Sequence, residues 1–345
     1  MSVILKSNIM KKTLIYMAAM LSMAFAASCQ KEAASSDAQV EEYVTAVFTV
    51  EAPAHIGTKA VGDGLAADNL VFAVFDAAGT ELPKLRQGDW VNNIGENQTA
   101  IKFDDSAKPK ATVTVTLVRG KQYSFVCWAQ NEAAVCYDFA DMKNIGISYT
   151  DYNASNNDLR DAFYAYAQTD GKVTESFSQT ITLTRPFAQV NVGTTDFEEA
   201  AKAGLDVDNL YSTLTVKNAA SVLDTFTGKG ITPVDATFAY AHALAPDHDL
   251  VIDEEKVVNN PTFEIEDKYG WIAMNYVLAA ESAAVTEVSF EIREGDSTVL
   301  TSFAVPNVPL QANYRTNIVG ELVTAAGTIN IIVDPIFNAE NVVNK

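Results

Sequence analysis

Along most of the chain, apolar and polar positions alternate with a period of two. TVTVTL (112–117) and TITLT (180–184) interleave Thr with apolar residues, and VSFEI (288–292) and TINIIV (328–333) obey the same rule. Successive side chains of a strand point to opposite faces, so this alternation predicts half-buried antiparallel strands. TAVFTV (45–50), LVFAVFD (70–76), QYSFVCWA (122–129), FAQVNVG (187–193) and LYSTLTV (210–216) are further strand candidates. So are WIAMNYVLA (271–279), STVLTSFAV (297–305) and YRTNIVGELV (314–323). Turn chemistry separates them in DAAGT, VRGK, TDGK, EGDS and AAGT. Helix is scarce. The best case is TTDFEEAAKAG, where Thr195 and Glu198 have capping-box spacing and Gly204 suits a C-terminal cap. Many short strands with one or two short helices predict an all-β fold of antiparallel β-sandwiches. Pro186 cannot continue a central ladder. The seam is therefore placed there, giving an N-terminal sandwich over 43–185 and a C-terminal one over 186–345.

The first 28 residues have a different pattern. Lys6, Lys11 and Lys12 precede an apolar run, LIYMAAMLSMAFAA (14–27), that is short for a membrane span and fits a secretory signal. Met10 is a second candidate start, because MKKTLIYM reads as a complete signal beginning. Ala26-Ala27-Ser28-Cys29 resembles a lipobox, with Ala26 where Leu is more usual. It implies cleavage before Cys29 and acylation (diacylglycerol and palmitate) of that cysteine, the competing reading being an ordinary signal peptide with a cysteine near its cut. Residues 29–42, rich in Ala, Ser and acids, then read as a flexible tether. Cys29-Gln30-Lys31-Glu32 resembles the signal that sends Bacteroidetes lipoproteins to the outer face of the outer membrane.

Charge narrows the partners. The chain has 24 basic and 44 acidic residues, a net charge of −20, and loss of three lysines with residues 1–28 deepens it to −23. Such a field repels phosphate backbones, so nucleic acid is excluded as a partner. Cys127 and Cys136 are spaced for neighbouring strands and form a candidate disulfide; two buried thiols fit the sequence equally well. No GxSxG, HExxH, P-loop or dinucleotide fingerprint occurs, and the sequence asks for no catalytic residue, metal or cofactor. His242, His248 and Asp249 lack a recognised ligand spacing. Trp90, Tyr149 and Tyr152 stand in polar stretches where a ring would be free to stack on a sugar, although core packing is the commoner role.

RPFAQVNVGTTD and VPNVPLQANYRTNIVGELVT resemble the Bacteroidetes fimbrillin superfamily, the subunits of type V pili. Arg185, Ala188, Asn313, Tyr314, Arg315, Thr316, Gly320 and Leu322 carry the resemblance, with LRDAFYAYAQ (159–168) in support. It implies two tandem transthyretin-like Greek-key sandwiches and a surface lipoprotein, not an enzyme, anchored in the outer membrane and found in a fimbrium once processed. It also implies assembly by strand exchange. A trypsin-like protease cuts after a basic residue behind the first strand, and a strand of another subunit, or of another copy, fills the vacancy. Lys59, the sole Lys or Arg between Lys31 and Lys84, is the candidate cut site. The best-studied cuts in the family follow Arg, so this Lys departs from the pattern. Ile336, Phe337, Val342 and Val343 are candidate donor residues, while 328–333 is expected to finish its own sheet. A surface ligand, host or bacterial, is the expected adhesive partner. The alternative is a surface lipoprotein that binds glycan or a partner protein without polymerising.

Overall fold

The computed structural model describes residues 42–52, 67–104, 109–150, 157–239 and 249–334, apart from 253, 260, 267, 280–283, 296, 297 and 326. These residues lie within one compact unit, Glu41–Lys345. The first strands are β1 (Tyr43–Glu51), β2 (Asn69–Asp76), β3 (Ile101–Lys102), β4 (Lys110–Val118) and β5 (Tyr123–Gln130). After them come β6 (Tyr137–Asp138), β7 (Asn144–Ile147), β8 (Phe163–Gln168), β9 (Phe177–Thr182) and β10 (Phe187–Thr194). Helix α1 (Phe197–Lys202) leads to β11 (Leu210–Asp224), β12 (Lys229–Ala239), β13 (Asp249–Val251) and β14 (Lys268–Leu278). The chain continues through β15 (Ala284–Glu294), β16 (Thr298–Leu310), β17 (Arg315–Gly320) and β18 (Asn330–Asp334).

Three sheets result, and the fold is all-β. The first has the order β4-β1-β9 and the second β3-β2-β5-β8. The third runs β16-β15-β11-β14-β10-β17-β18, with β12 on β11, β13 on β14, and β6 and β7 attached through β7 and β11. Pairing is antiparallel except between β1 and β9 and between β10 and β17. The chain leaves the first sheet after β9, passes Arg185 and Pro186, and enters the third at β10.

The central strands of the second sheet, β2 and β5, are buried on both faces. Leu70, Phe72 and Val74 of β2 and Phe125, Cys127 and Ala129 of β5 share one core with the first sheet. Their neighbours Val71, Ala73, Phe75, Val126 and Trp128 point the other way, into a core shared with Ile145, Phe187 and Tyr276. A strand between two apolar layers needs no polar face, which explains why LVFAVFD and QYSFVCWA are mostly apolar, with apolar runs at 70–75 and 125–129, where TVTVTL alternates.

One local expectation is revised. The side chain of Thr195 does not open the helix. Asp196 stands at the N-cap, and its carboxylate makes no capping bond to the helix. It accepts instead from the backbone N–H of Val323 (3.1 Å) and Thr324 (2.8 Å) and from the hydroxyls of Thr324 (2.6 Å) and Thr194. Burial opposes its charge, but these bonds outweigh burial and hold the carboxyl below its ordinary range. Gly204 sits just past the helix at φ +94°, the left-handed geometry expected of it. Of the two readings of Cys127 and Cys136, the structure has the two buried thiols and no disulfide. Cys127 points into the core between the first two sheets and Cys136 into the core on the far side of the second. The chain leaves β5 before Cys136, so the layer itself separates the two sulfurs.

Candidate functional site

β1 is the middle strand of its sheet, and its alternation determines its surroundings. Val44, Ala46, Phe48 and Val50 point inward and are 0–3% exposed; Thr45, Val47 and Thr49 face outward. On one side β1 pairs antiparallel with β4 over its whole length, from Tyr43↔Val118 to Glu51↔Lys110. On the other it pairs parallel with β9, from Ala46↔Phe177 to Glu51↔Thr182. The Phe48 ring lies 4.5 Å from that of Phe125 and 4.9 Å from Phe72, with Phe177 edge-on at 5.8 Å. Aromatic groupings of this geometry add to the area each ring buries.

The ends of the strand are held lightly. Lys110 pairs with Glu51 at 2.7 Å and Arg119 with Glu42 at 2.9 Å, but all four side chains are substantially exposed. Exposed pairs of this kind contribute little. Backbone bonds from Arg119 N–H to the Glu42 carbonyl (2.7 Å), Ala52 N–H to Pro109 (2.9 Å) and Leu183 N–H to Glu51 (2.9 Å) extend the ladders. β1 is thus retained by apolar side chains and a double ladder. Its C-terminal connection leads to β2 in the other sheet through residues 53–66. Lys59 lies there, outside the described residues, as do Cys29 and the donor candidates Ile336, Phe337, Val342 and Val343.

Of the sugar-stacking candidates, the two among the described residues, Tyr149 and Trp90, each pack against the protein's own rings. Tyr149 is buried; its hydroxyl donates to the Ala220 carbonyl (2.8 Å) and accepts from the Leu278 N–H (3.0 Å), tying β11 to β14. Burial pushes its phenol well above the usual value. Trp90 is half-buried against Phe139 at 5.7 Å. Tyr152, His242 and His248 lie outside the described residues, and Asp249 begins β13. Among the described residues no group of three or more His, Cys, Asp or Glu is placed to hold a metal.

Sequence reasoning missed the β9 wall of the β1 site. Phe177 and Ser176, whose hydroxyl accepts from Thr45 N–H at 3.0 Å, lie about 130 residues from β1, and nothing local announces the pairing. It also missed the junction built around Arg185. The guanidinium donates twice to Asp161 (2.6 and 2.7 Å) and once to the Asn313 side-chain carbonyl (2.8 Å), over the Phe163 ring at 4.8 Å. Arg185 and Asp161 are almost fully buried.

The chain belongs to a family of unknown function, DUF6562, whose model matches residues 38–345. No curated protein matches it in sequence. Among solved structures it is similar to a fimbrial assembly protein from Parabacteroides distasonis, at 12% identity and TM-score 0.43, covering 87% of this chain and 98% of that one. It is also similar to the tip fimbrial protein Mfa3 from Porphyromonas gingivalis, with C-terminal truncation, at 12% identity and TM-score 0.44, covering 85% and 99%. At such values function has to be read from the chain's own geometry.

Proposed function

We propose that this chain is a cell-surface fimbrillin-like lipoprotein, a structural or adhesive pilus subunit that assembles when β1 is cut free and an incoming strand replaces it. The observation that carries this reading is the place of β1: first of the described strands, central in its sheet, and followed by the segment 53–66 that leads to β2. A cut at Lys59 leaves β1 held by non-covalent contacts alone. Its departure uncovers an apolar floor and two facing strand edges, those of β4 and β9, which is the chemistry that recruits an extended chain. The lipid-bearing Cys29 lies on the same side of Lys59 as β1. A single cut therefore releases the body from the membrane and opens the slot together.

Intact-mass analysis of surface-shed protein tests the reading. A mature N-terminus at Ala60, with an SDS-resistant ladder lost on boiling, is the expected result. Lipidated Cys29 and β1 on every copy, with no ladder, would favour the non-polymerising lipoprotein instead.

A further inference from the structure

The slot occupied by β1 varies along its length. Its four inward positions hold, in order, Val44, Ala46, Phe48 and Val50, all closed to water. Ala46 lies opposite Val115 on β4 and Phe177 on β9, while Phe48 enters the aromatic box of Phe72, Phe125 and Phe177. A polar amide at any of these positions loses water without gaining a designated partner. From Ala46 to Glu51 the strand has a ladder on both sides, so proline there forfeits a bond.

Residues 328–345 of the chain itself meet these requirements poorly. β18 is already paired with β17, and Ile332 and Asp334 are fully buried. Beyond β18 the sequence reads PIFNAENVVNK, residues 335–345. Any four alternate positions taken from it, read in either direction, include Asn338 or Asn341. The best-matched set, Phe337, Ala339, Asn341 and Val343, puts Asn341 into the aromatic box.

We propose that the slot is selective: it takes an extended apolar–small–aromatic–apolar segment of a different polypeptide and discriminates against residues 335–345 of a second copy of this chain. The inference rests on the exchange of β1 proposed above. Its consequence is a mixed assembly, in which a different polypeptide fills the slot in preference to residues 335–345 of an identical copy.

The test uses the full chain with one engineered protease site within residues 53–66, cut after folding. Fluorescent peptides are then titrated and tracked by anisotropy, and the release of β1 is measured by mass spectrometry. The peptides are residues 43–51, residues 335–345, the latter carrying Phe337→Val, and the latter carrying Phe337→Val with Asn341→Phe. The last restores the order Val–Ala–Phe–Val. Residues 43–51 are expected to exchange in, the native tail to bind at least about tenfold more weakly, and only the double change to recover about tenfold. Native-tail binding equal to that of 43–51 overturns the selectivity, as does a double change without gain. Retention of β1 against excess 43–51 peptide refutes the exchange reading itself, an outcome distinct from the other two.

Discussion

The β1 site makes a quantitative demand of Phe48. Its side chain is fully buried and ringed by Phe72, Phe125 and Phe177. Phe48→Ala removes its transfer energy and leaves a cavity whose floor is fixed by a second sheet packed from behind. The expected cost is about 3–5 kcal/mol, a large share of the roughly 5–15 kcal/mol that holds a typical domain folded. Thr45→Ala, on the exposed face of the same strand, should cost less than about 0.5 kcal/mol. Urea unfolding monitored by tryptophan fluorescence compares the two. In a chain nicked between β1 and β2 the same loss should speed β1 release by roughly a hundred- to four-thousandfold. A Phe48→Ala penalty below about 1.5 kcal/mol, or an unchanged release rate, would show that the aromatic box does not retain the strand.

The buried polar groups and thiols have consequences of their own. Asp161→Ala leaves the Arg185 guanidinium buried without its carboxylate and should cost about 3–5 kcal/mol in urea melts. Asp161→Leu with Arg185→Met should recover most of it. Asp196 has a depressed folded pKa, so its contribution is present above the unfolded value near 3.9 and lost as pH falls through the folded one. Asp196→Asn should therefore cost about 1–3 kcal/mol at neutral pH, and the gap between variant and parent should narrow below about pH 4. Burial raises the Cys127 thiol far above its usual range and keeps Cys136 from solvent as well. Both should resist iodoacetamide until the chain unfolds, with no mobility change on reduction. Rapid alkylation of the folded protein, or a reducible crosslink, would contradict the two-core placement.

How far the fold could be read in advance depended on where each element's information resides. β1, β4 and β10 carry their own alternation or apolar character and were legible from it. β12 was not: Thr232 at φ +61°, Pro233 and a largely exposed face erase any period. β6 and β7 span only two and four residues, and β7 finds its partner at Val222–Asp224, some 75 residues on. Nothing around Asp196 announces its partners Val323 and Thr324, which arrive from about 130 residues away. The separation of Cys127 and Cys136 was visible, but their layers were not, because a period of two gives alternation without saying which face meets which sheet. The inward residues of β1 were likewise plain, whereas its parallel neighbour β9 was hidden by distance.

The layering also decides what happens when β1 leaves. In a two-layer sandwich a lost central strand invites the remaining sheet to collapse onto the bared core. Here the floor strands β2 and β5 are gripped from the opposite face, where Val71, Phe75, Val126 and Trp128 pack with Ile145, Phe187 and Tyr276. Neither strand can move toward the vacancy without opening that second core, so the slot should persist in place of closing. Amide hydrogen exchange on nicked protein stripped of β1 measures this directly. Protection should fall in β4 and β9, which lose their shared partner, and remain in β2 and β5. Loss of protection across all four strands would mean that the floor is not independently braced, and that the incoming strand must rebuild the site it enters.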